Sequence, residues 1–247
     1  MYSIVMNVNL SNINLSRLRL GGINLSEIKL GMPSGKGTGG EETFDPASFD
    51  EAWTVTGKTN DDEDRATVKN LTGNGNYLVL SNFTFDEDSG YNSEGYLVTD
   101  GVDDKIQSSN FKLGKDWTMV GDWKLFETPK YIGAGIIKPQ SLYVYNTSVG
   151  LQFFVNTTQL SFSISGIKSV NAICSDGRIY TNDWSEIIND KVGTVTSSNN
   201  SLIMGFNSSN TSFTKMAFKN LAIYNGKVLT KDQCINAYNY LQTLKEK

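Results

Sequence analysis

Short strand-like runs recur from Tyr77 to Tyr224, and turn clusters cut each one off. This rhythm leaves few folds open. The runs are Tyr77–Leu80, Tyr96–Thr99, Lys105–Ser108, Trp117–Lys124, Ile132–Ile137, Ser141–Tyr145, Leu151–Val155, Leu160–Ile164, Ser169–Cys174, Arg178–Thr181, Ser201–Phe206 and Met216–Tyr224. Between them stand Thr72-Gly73-Asn74-Gly75, Asp100-Gly101, Ser175-Asp176-Gly177 and Asn225-Gly226, residues that supply left-handed backbone and side-chain-to-backbone turns. The chain holds 25 Asn, 25 Ser and 23 Gly in 247 residues, a composition that favours turns and caps over helix interiors. Many short strands and one apolar face per strand predict two stacked antiparallel sheets.

One helix is expected, at the end. Thr230 can cap it and Gln233 can complete a capping box. Cys234, Ile235, Ala237, Tyr238, Leu241 and Leu244 then fall on one stripe. That stripe makes Cys234 a small core residue rather than a nucleophile.

The first thirty residues are a different piece. The segment Ile13–Gly21 and the segment Ile23–Gly31 share the pattern I-N-L-S-x-(L or I)-(R or K)-L-G, a ten-residue repeat. Apolar and polar residues alternate within each copy, the period of a half-buried strand. Two such strands are barely stable alone, so their apolar side needs a partner. That partner is the large domain, the same segment in sister subunits or a different protein; the linker composition that follows favours a docking or oligomerising segment, with Ile13, Leu15, Leu18, Leu20, Ile23, Leu25, Ile28 and Leu30 as its apolar residues. A stretch with linker composition follows, with Gly31, Gly35, Gly37, Gly39 and Gly40 around Pro33. The expected organisation is an anchor over residues 1–31, a linker over 32–42 and a body over 43–247.

Charge and residue type bound the function. Residues 1–40 carry a net +3 from Arg17, Arg19, Lys29 and Lys36 against Glu27, which leaves −7 on the rest of a chain of net −4. An acidic body argues against nucleic-acid binding. No stretch approaches eighteen apolar residues, so no membrane span is expected. The N-terminus lacks the apolar core of a secretory signal, which points to synthesis in a cytoplasm and to no export by that route. Histidine is absent, which removes Ser-His-Asp and Cys-His catalysis and imidazole-based zinc sites. Cys174 and Cys234 form no CxxC; a disulfide between them is open.

Candidate sites are few. Asp100, Asp103 and Asp104 sit together in a tight turn and offer hard oxygen ligands to Ca²⁺, the one cofactor the sequence suggests. Asp61-Asp62-Glu63-Asp64 is denser but reads as a solvated loop, because its spacing is not that of a calcium loop. Exposed aromatics beside polar loops would suit sugar binding, and Tyr131, Tyr143, Tyr145, Tyr180 and Trp184 are the candidates. A glycan hydrolase needs paired carboxylates across a cleft, and no E-x-D-x-x-E spacing occurs, so no enzymatic activity is expected.

Three segments together resemble a known family. GYLVTDGVDDKIQ at 95–107, FKLGKDWTMVGDW at 111–123 and AFKNLAIYNGKVLTKDQ at 217–233 are similar to successive strands and the closing helix of LamG-like, concanavalin A-like jelly rolls. The resemblance implies an all-β jelly-roll sandwich with a C-terminal helix, preceded here by the short β-repeat anchor. The block GKTNDDEDRATVKNLTGNGN at 57–76 resembles a motif of LamG-bearing proteins of Bacteroides phages and prophages, crAss-like phages among them. The leader LGGINLSEIKLG at 20–31 is similar to leaders of phage tail and fibre proteins. These resemblances imply a head or tail fibre, or a capsid decoration protein, on the virion surface. Its implied partners are other virion proteins, further copies of itself (a trimer ahead of a dimer) and a host surface glycan. The alternatives are a glycan depolymerase on the same fold and a structural component without ligand.

Overall fold

The structure is a computed structural model, and it describes residues 19–20, 23–24, 44–108, 113–125, 142–147, 150–155, 158–161, 170–188, 202–205, 213 and 215–246. The chain divides into two units, Met1–Thr43 and Phe44–Lys247. In the first unit β1 (Arg19–Leu20) pairs antiparallel with β2 (Ile23–Asn24), Leu20 opposite Ile23. Of the eight expected docking residues, Ile13, Leu15, Leu18, Leu25, Ile28 and Leu30 lie outside the described residues.

The second unit is built from β3 (Glu51–Thr54), β4 (Thr67–Val68), β5 (Leu78–Ser81), β6 (Gly90–Tyr91), β7 (Leu97–Val98), β8 (Lys105–Ser108) and β9 (Trp117–Leu125). It continues through β10 (Leu142–Thr147), β11 (Gly150–Val155), β12 (Thr158–Ser161), β13 (Val170–Cys174), β14 (Arg178–Thr181) and β15 (Glu186–Ile188). It ends with β16 (Leu202–Met204), β17 (Met216–Asn225) and α1 (Lys231–Leu241). Every pairing among these strands is antiparallel. The larger sheet runs β15-β14-β13-β9-β17, and the far edge of β17 is shared by β3 and by β7, with β6 beyond β7. The smaller sheet runs β16-β8-β5-β4, and β10-β11-β12 form a meander.

The expected β-sandwich with a closing helix is what the chain forms. Trp117, Met119 and Trp123 alternate along β9 and join Phe218, Leu221 and Ile223 of β17 in one buried cluster. Leu78, Leu80, Ile106, Leu202 and Met204 of the smaller sheet complete that cluster. Burying such side chains contributes about 1.5–3 kcal/mol each. The opposite residues of β9 and β17, Val120, Ala222 and Tyr224, belong to a second buried cluster with Cys234, Ala237 and Leu241 of α1. The larger sheet is therefore apolar on both faces, which is why its strands read as apolar runs rather than strict alternation. Phe218 and Leu221 share a face although they stand three positions apart, because a bulge between Phe218 and Asn220 resets the alternation.

Gly121 is required where the sheet is tightest. A Cβ there would stand 2.4 Å from Trp123 Cζ3 and 2.6 Å from the Asn220 carbonyl. The helix begins as its sequence predicts: the Thr230 hydroxyl accepts from Gln233 N, and the Gln233 side chain returns the bond to Thr230 N at 2.8 Å. Four strands were not predicted from the sequence: β3 within the acidic stretch 41–64, the two-residue β4 and β6, and β15 with its polar start. The expected strand at Ile132–Ile137 lies outside the described residues. Among the described residues, no helix is long and apolar enough to cross a membrane.

Candidate functional site

The GKTN block and the segment that follows it are held against the end of the chain. Thr59 and Asp62 bond each other twice, the Thr59 N–H and hydroxyl both donating to the Asp62 carboxylate at 2.9 and 2.8 Å. Asn60 clasps the backbone of Tyr91, donating to its carbonyl at 2.9 Å and accepting its N–H at 2.7 Å. Lys58, with 5% of its side chain exposed, reaches Asp64 at 2.8 Å and Glu246 at 3.5 Å. Lys69 takes the other Asp64 oxygen at 2.9 Å. The two ammonium groups hold the Asp64 carboxyl down at about 2. These contacts show what the block's residue types do: Thr59, Asn60 and Asp62 fix the loop's backbone, and Asp64 pairs with Lys58 and Lys69.

Asn70 organises the next turn. Its Oδ1 accepts from Thr72 N at 2.9 Å and from the Thr72 hydroxyl at 2.7 Å, and its amide donates to Glu51. Leu71 N donates to Ala52 O at 2.8 Å, so the LTGNG loop hangs on the edge of β3.

Between this loop and the end of α1 lies a cleft of about 340 Å³, lined by Phe49, Asn70, Leu71, Tyr240 and Leu244 with Lys69, Lys245 and Glu246. A polar cavity of about 140 Å³ adjoins it and shares Lys69 and Glu246. The Phe49 ring lies 6.5 Å from the Tyr240 ring and meets Tyr224 edge-on at 6.4 Å. Glu246 forms part of the wall common to both cavities. Its side chain is 4% exposed; Oε1 accepts Lys69 N at 2.9 Å, while Oε2 faces Lys58 and makes no hydrogen bond. Burial raises its carboxyl above the usual range. A cleft of this size offers an apolar ring surface on one side and a buried acceptor with ammonium donors on the other.

The sequence-predicted aromatics go elsewhere. Tyr180 is fully buried, its hydroxyl accepting from Arg178 at 3.2 Å. The Trp184 ring meets Tyr238 of α1 edge-on at 5.5 Å and lies 6.3 Å from Tyr180. Tyr180 is corrected from a binding residue to a packing residue, because it is buried in the cluster that the larger sheet shares with α1; Trp184 is half-buried against the same cluster. Tyr143 and Tyr145 lie on β10 opposite Phe154 and Gln152. Tyr131 lies outside the described residues. The residues that do line the cleft were missed because Phe49 sits in an acidic stretch and Tyr240 beside the helix's buried stripe. The available signal was Asn70–Gly73 within the quoted block.

The Asp100, Asp103 and Asp104 carboxylates do converge, with oxygens within 4.8 Å of one another. Their bonds serve the turn itself. Asp100 Oδ1 accepts Val102 N at 2.7 Å, and Asp104 Oδ2 accepts Asp100 N at 2.7 Å. Asp104 Oδ1 accepts the Ser89 hydroxyl at 3.1 Å. Asp104 is fully buried, which raises its carboxyl to about 6.

No protein-family model and no curated protein matches the sequence. Solved structures do share its fold. Trypanosoma rangeli sialidase in complex with sialic acid superposes with a TM-score of 0.53 at 11% identity over 81% of this chain. The same sialidase in complex with a difluoro-KDN gives 0.54 at 14% identity over 89%. Domain 4 of an extracellular GH43 arabinanase from Geobacillus stearothermophilus, in complex with arabinotriose, gives 0.47 at 16% identity, covering 76% of this chain and 99% of that one. The chain spans about a third of the sialidase length, 34% and 37% in the two superpositions. The expectation of no enzymatic activity is corrected by this likeness. Sialidases work with a tyrosine nucleophile rather than the paired acids of most glycosidases. Missing histidine and a missing acid spacing were therefore insufficient grounds to exclude a reaction. At these identities the likeness establishes the fold: an all-β chain built on the same strand framework as part of a sialidase.

Proposed function

We propose that residues 44–247 form a carbohydrate-binding module and that the Phe49–Tyr240 cleft is its site. The observation that carries this reading is the pairing of an aromatic wall with the buried Glu246 carboxylate, whose Oε2 makes no hydrogen bond. A sugar ring presents C–H faces to aromatic carbons and hydroxyls to carboxylate, amide and ammonium groups, and the cleft lines up both. The fold shared with a sialidase in complex with sialic acid supports the same class of ligand.

The resemblance of the leader and of the GKTN block to phage proteins extends the proposal. The chain is a virion surface protein, docked by its N-terminal repeat to capsid or tail proteins and displaying the sandwich to a host glycan. Many copies on one particle would turn weak single contacts into firm attachment.

The test is binding of the full chain to an immobilised oligosaccharide panel that includes sialyllactose, beside Tyr240→Ala and Glu246→Gln variants checked for folding by circular dichroism. Binding by the parent chain, weakened at least about tenfold by Tyr240→Ala, supports the module and its site. A blank panel, or binding that neither variant alters, overturns the site. The virion reading is tested separately by solution mass: a trimer or dimer of the full chain that becomes a monomer without residues 1–40 supports the anchor, and a monomeric full chain counts against it.

A further inference from the structure

The sequence holds two Asn-Gly pairs, Asn74-Gly75 and Asn225-Gly226. Such a pair is chemically labile, because glycine has no side chain to shield its amide nitrogen from the asparagine before it. In an unfolded chain both pairs are open to the same reaction. The fold treats them differently.

Asn225 is the last residue of β17 and stands opposite Trp117 of β9. Its N–H donates to the Asp50 carboxylate at 2.6 Å, and its Oδ1 accepts Gly114 N at 3.1 Å. The Gly226 N–H donates to the Asp116 carbonyl at 2.7 Å. Attack by Gly226 N on the Asn225 side chain therefore requires both the nitrogen and the side chain to be released first.

Asn74 stands in an exposed run with Thr72, Gly73 and Gly75. The run ends at Asn76, which is buried and whose carbonyl accepts the Trp53 indole N–H at 2.8 Å. Asn74 Oδ1 accepts Asn76 N at 2.9 Å, a turn that curls the side chain over the peptide joining Asn74 to Gly75. Gly75 N makes no hydrogen bond among the described residues. A Cβ added at Gly75 would meet nothing within 4 Å, so the approach to its nitrogen is open.

We propose that Asn74 is a site of spontaneous deamidation in the folded protein and that Asn225 is protected. Gly75 N gives its proton to hydroxide or water and bonds to Asn74 Cγ. The Cγ–Nδ2 bond then breaks, and the nitrogen leaves as ammonia after taking up a proton. One water opens the resulting five-membered imide at either carbonyl, giving aspartate or isoaspartate at position 74. One amide and one water become one carboxylic acid and one ammonia, with no oxidant or reductant. Both products place a negative charge on the loop. Isoaspartate also adds one methylene to the backbone next to Gly73, which lines the cleft.

The full chain is kept folded in mildly alkaline buffer, sampled over time, digested and mapped by mass spectrometry with a fragmentation that separates aspartate from isoaspartate. The expected result is a mixture of both at position 74, with Asn225 converting at least about tenfold more slowly because its reaction waits on local opening. In urea the two pairs convert at similar rates, which assigns the difference to the fold. Gly75→Ala slows conversion of Asn74 in the folded chain. An unchanged Asn74, aspartate without isoaspartate, an Asn225 that converts as fast as Asn74, or a difference that persists in urea each overturn the proposal. The parent-chain measurement decides it even if the variant does not fold.

Discussion

Glu246 Oε1 accepts the main-chain N–H of Lys69 at 2.9 Å, joining residues 177 positions apart. A second hydrogen bond at the same place runs from Glu246 N to Thr56 O at 3.1 Å, and Glu246 Oε2 pairs with the Lys58 ammonium at 3.5 Å. The tail after α1 is thereby laid along the loop that forms one wall of the cleft.

Replacing Glu246 by Ala removes an acceptor from Lys69 N and leaves the enclosed Lys58 ammonium with Asp64 as its carboxylate partner. A loss of about 1–3 kcal/mol is expected in urea unfolding. Glu246→Gln keeps the acceptor and costs less. An unchanged midpoint for Glu246→Ala would show that the tail contributes nothing to stability.

Asp104 gives the fold a pH dependence of definite sign. Its carboxyl is raised from the usual 3.8 to about 6 by burial, so the folded state holds this proton more tightly than the unfolded chain. Its contribution is complete below about pH 4 and is lost as the pH rises through 6. Asp64 and Asp183, both held near 2, act oppositely: their contribution is present above about pH 4 and lost below it. In Asp104→Asn the amide can donate to Ser89 while its oxygen accepts Asp100 N, and the change in stability between pH 4.5 and 7 shrinks. Denaturant midpoints of parent and variant at those two pH values measure it; equal slopes would refute the assignment.

Gly121→Ala is expected to cost about 3 kcal/mol or to prevent folding, because the added methyl meets both the Trp123 ring and the Asn220 carbonyl below 3 Å. Gly57→Ala is the control. Nothing lies within 4 Å of a Cβ there, and its φ of +97° leaves only backbone strain of about 1–2 kcal/mol. Thermal unfolding of the two side by side separates close packing from conformational strain.

Trp184→Ala should lower stability by about 1–2 kcal/mol, since the half-buried indole packs on Tyr238 and Tyr180. Oligosaccharide binding at the Phe49–Tyr240 cleft should survive it under conditions where the variant is folded. Loss of binding with no loss of stability would return Trp184 to the ligand site.

Much of the fold is local information. The apolar alternation at Trp117, Met119 and Trp123, the turn residues between runs, and the Thr230–Gln233 cap are written in short stretches, because strand period and helix capping act over a few residues. The strand at Glu51–Thr54 is not legible in this way: its acidic surroundings mask it, and only its pairing with β17 defines it. The same holds for the bulge at Phe218–Asn220, which a long-range register imposes.

The sequence by itself determined an all-β body, its closing helix and the residue types of its loops. Tertiary structure alone decided which distant residues meet. Phe49, Asn70 and Tyr240 line one cleft, and Cys174 and Cys234 share one buried cluster, because the fold brings together positions whose separation along the chain carries no information about distance. Tyr180 and Trp184, amphipathic and placed beside polar turns, could face solvent or a helix with equal local plausibility. The apolar stripe of α1 buries Tyr180 and leaves Trp184 half-buried against the same cluster, since burying two apolar surfaces against each other outweighs leaving both in water.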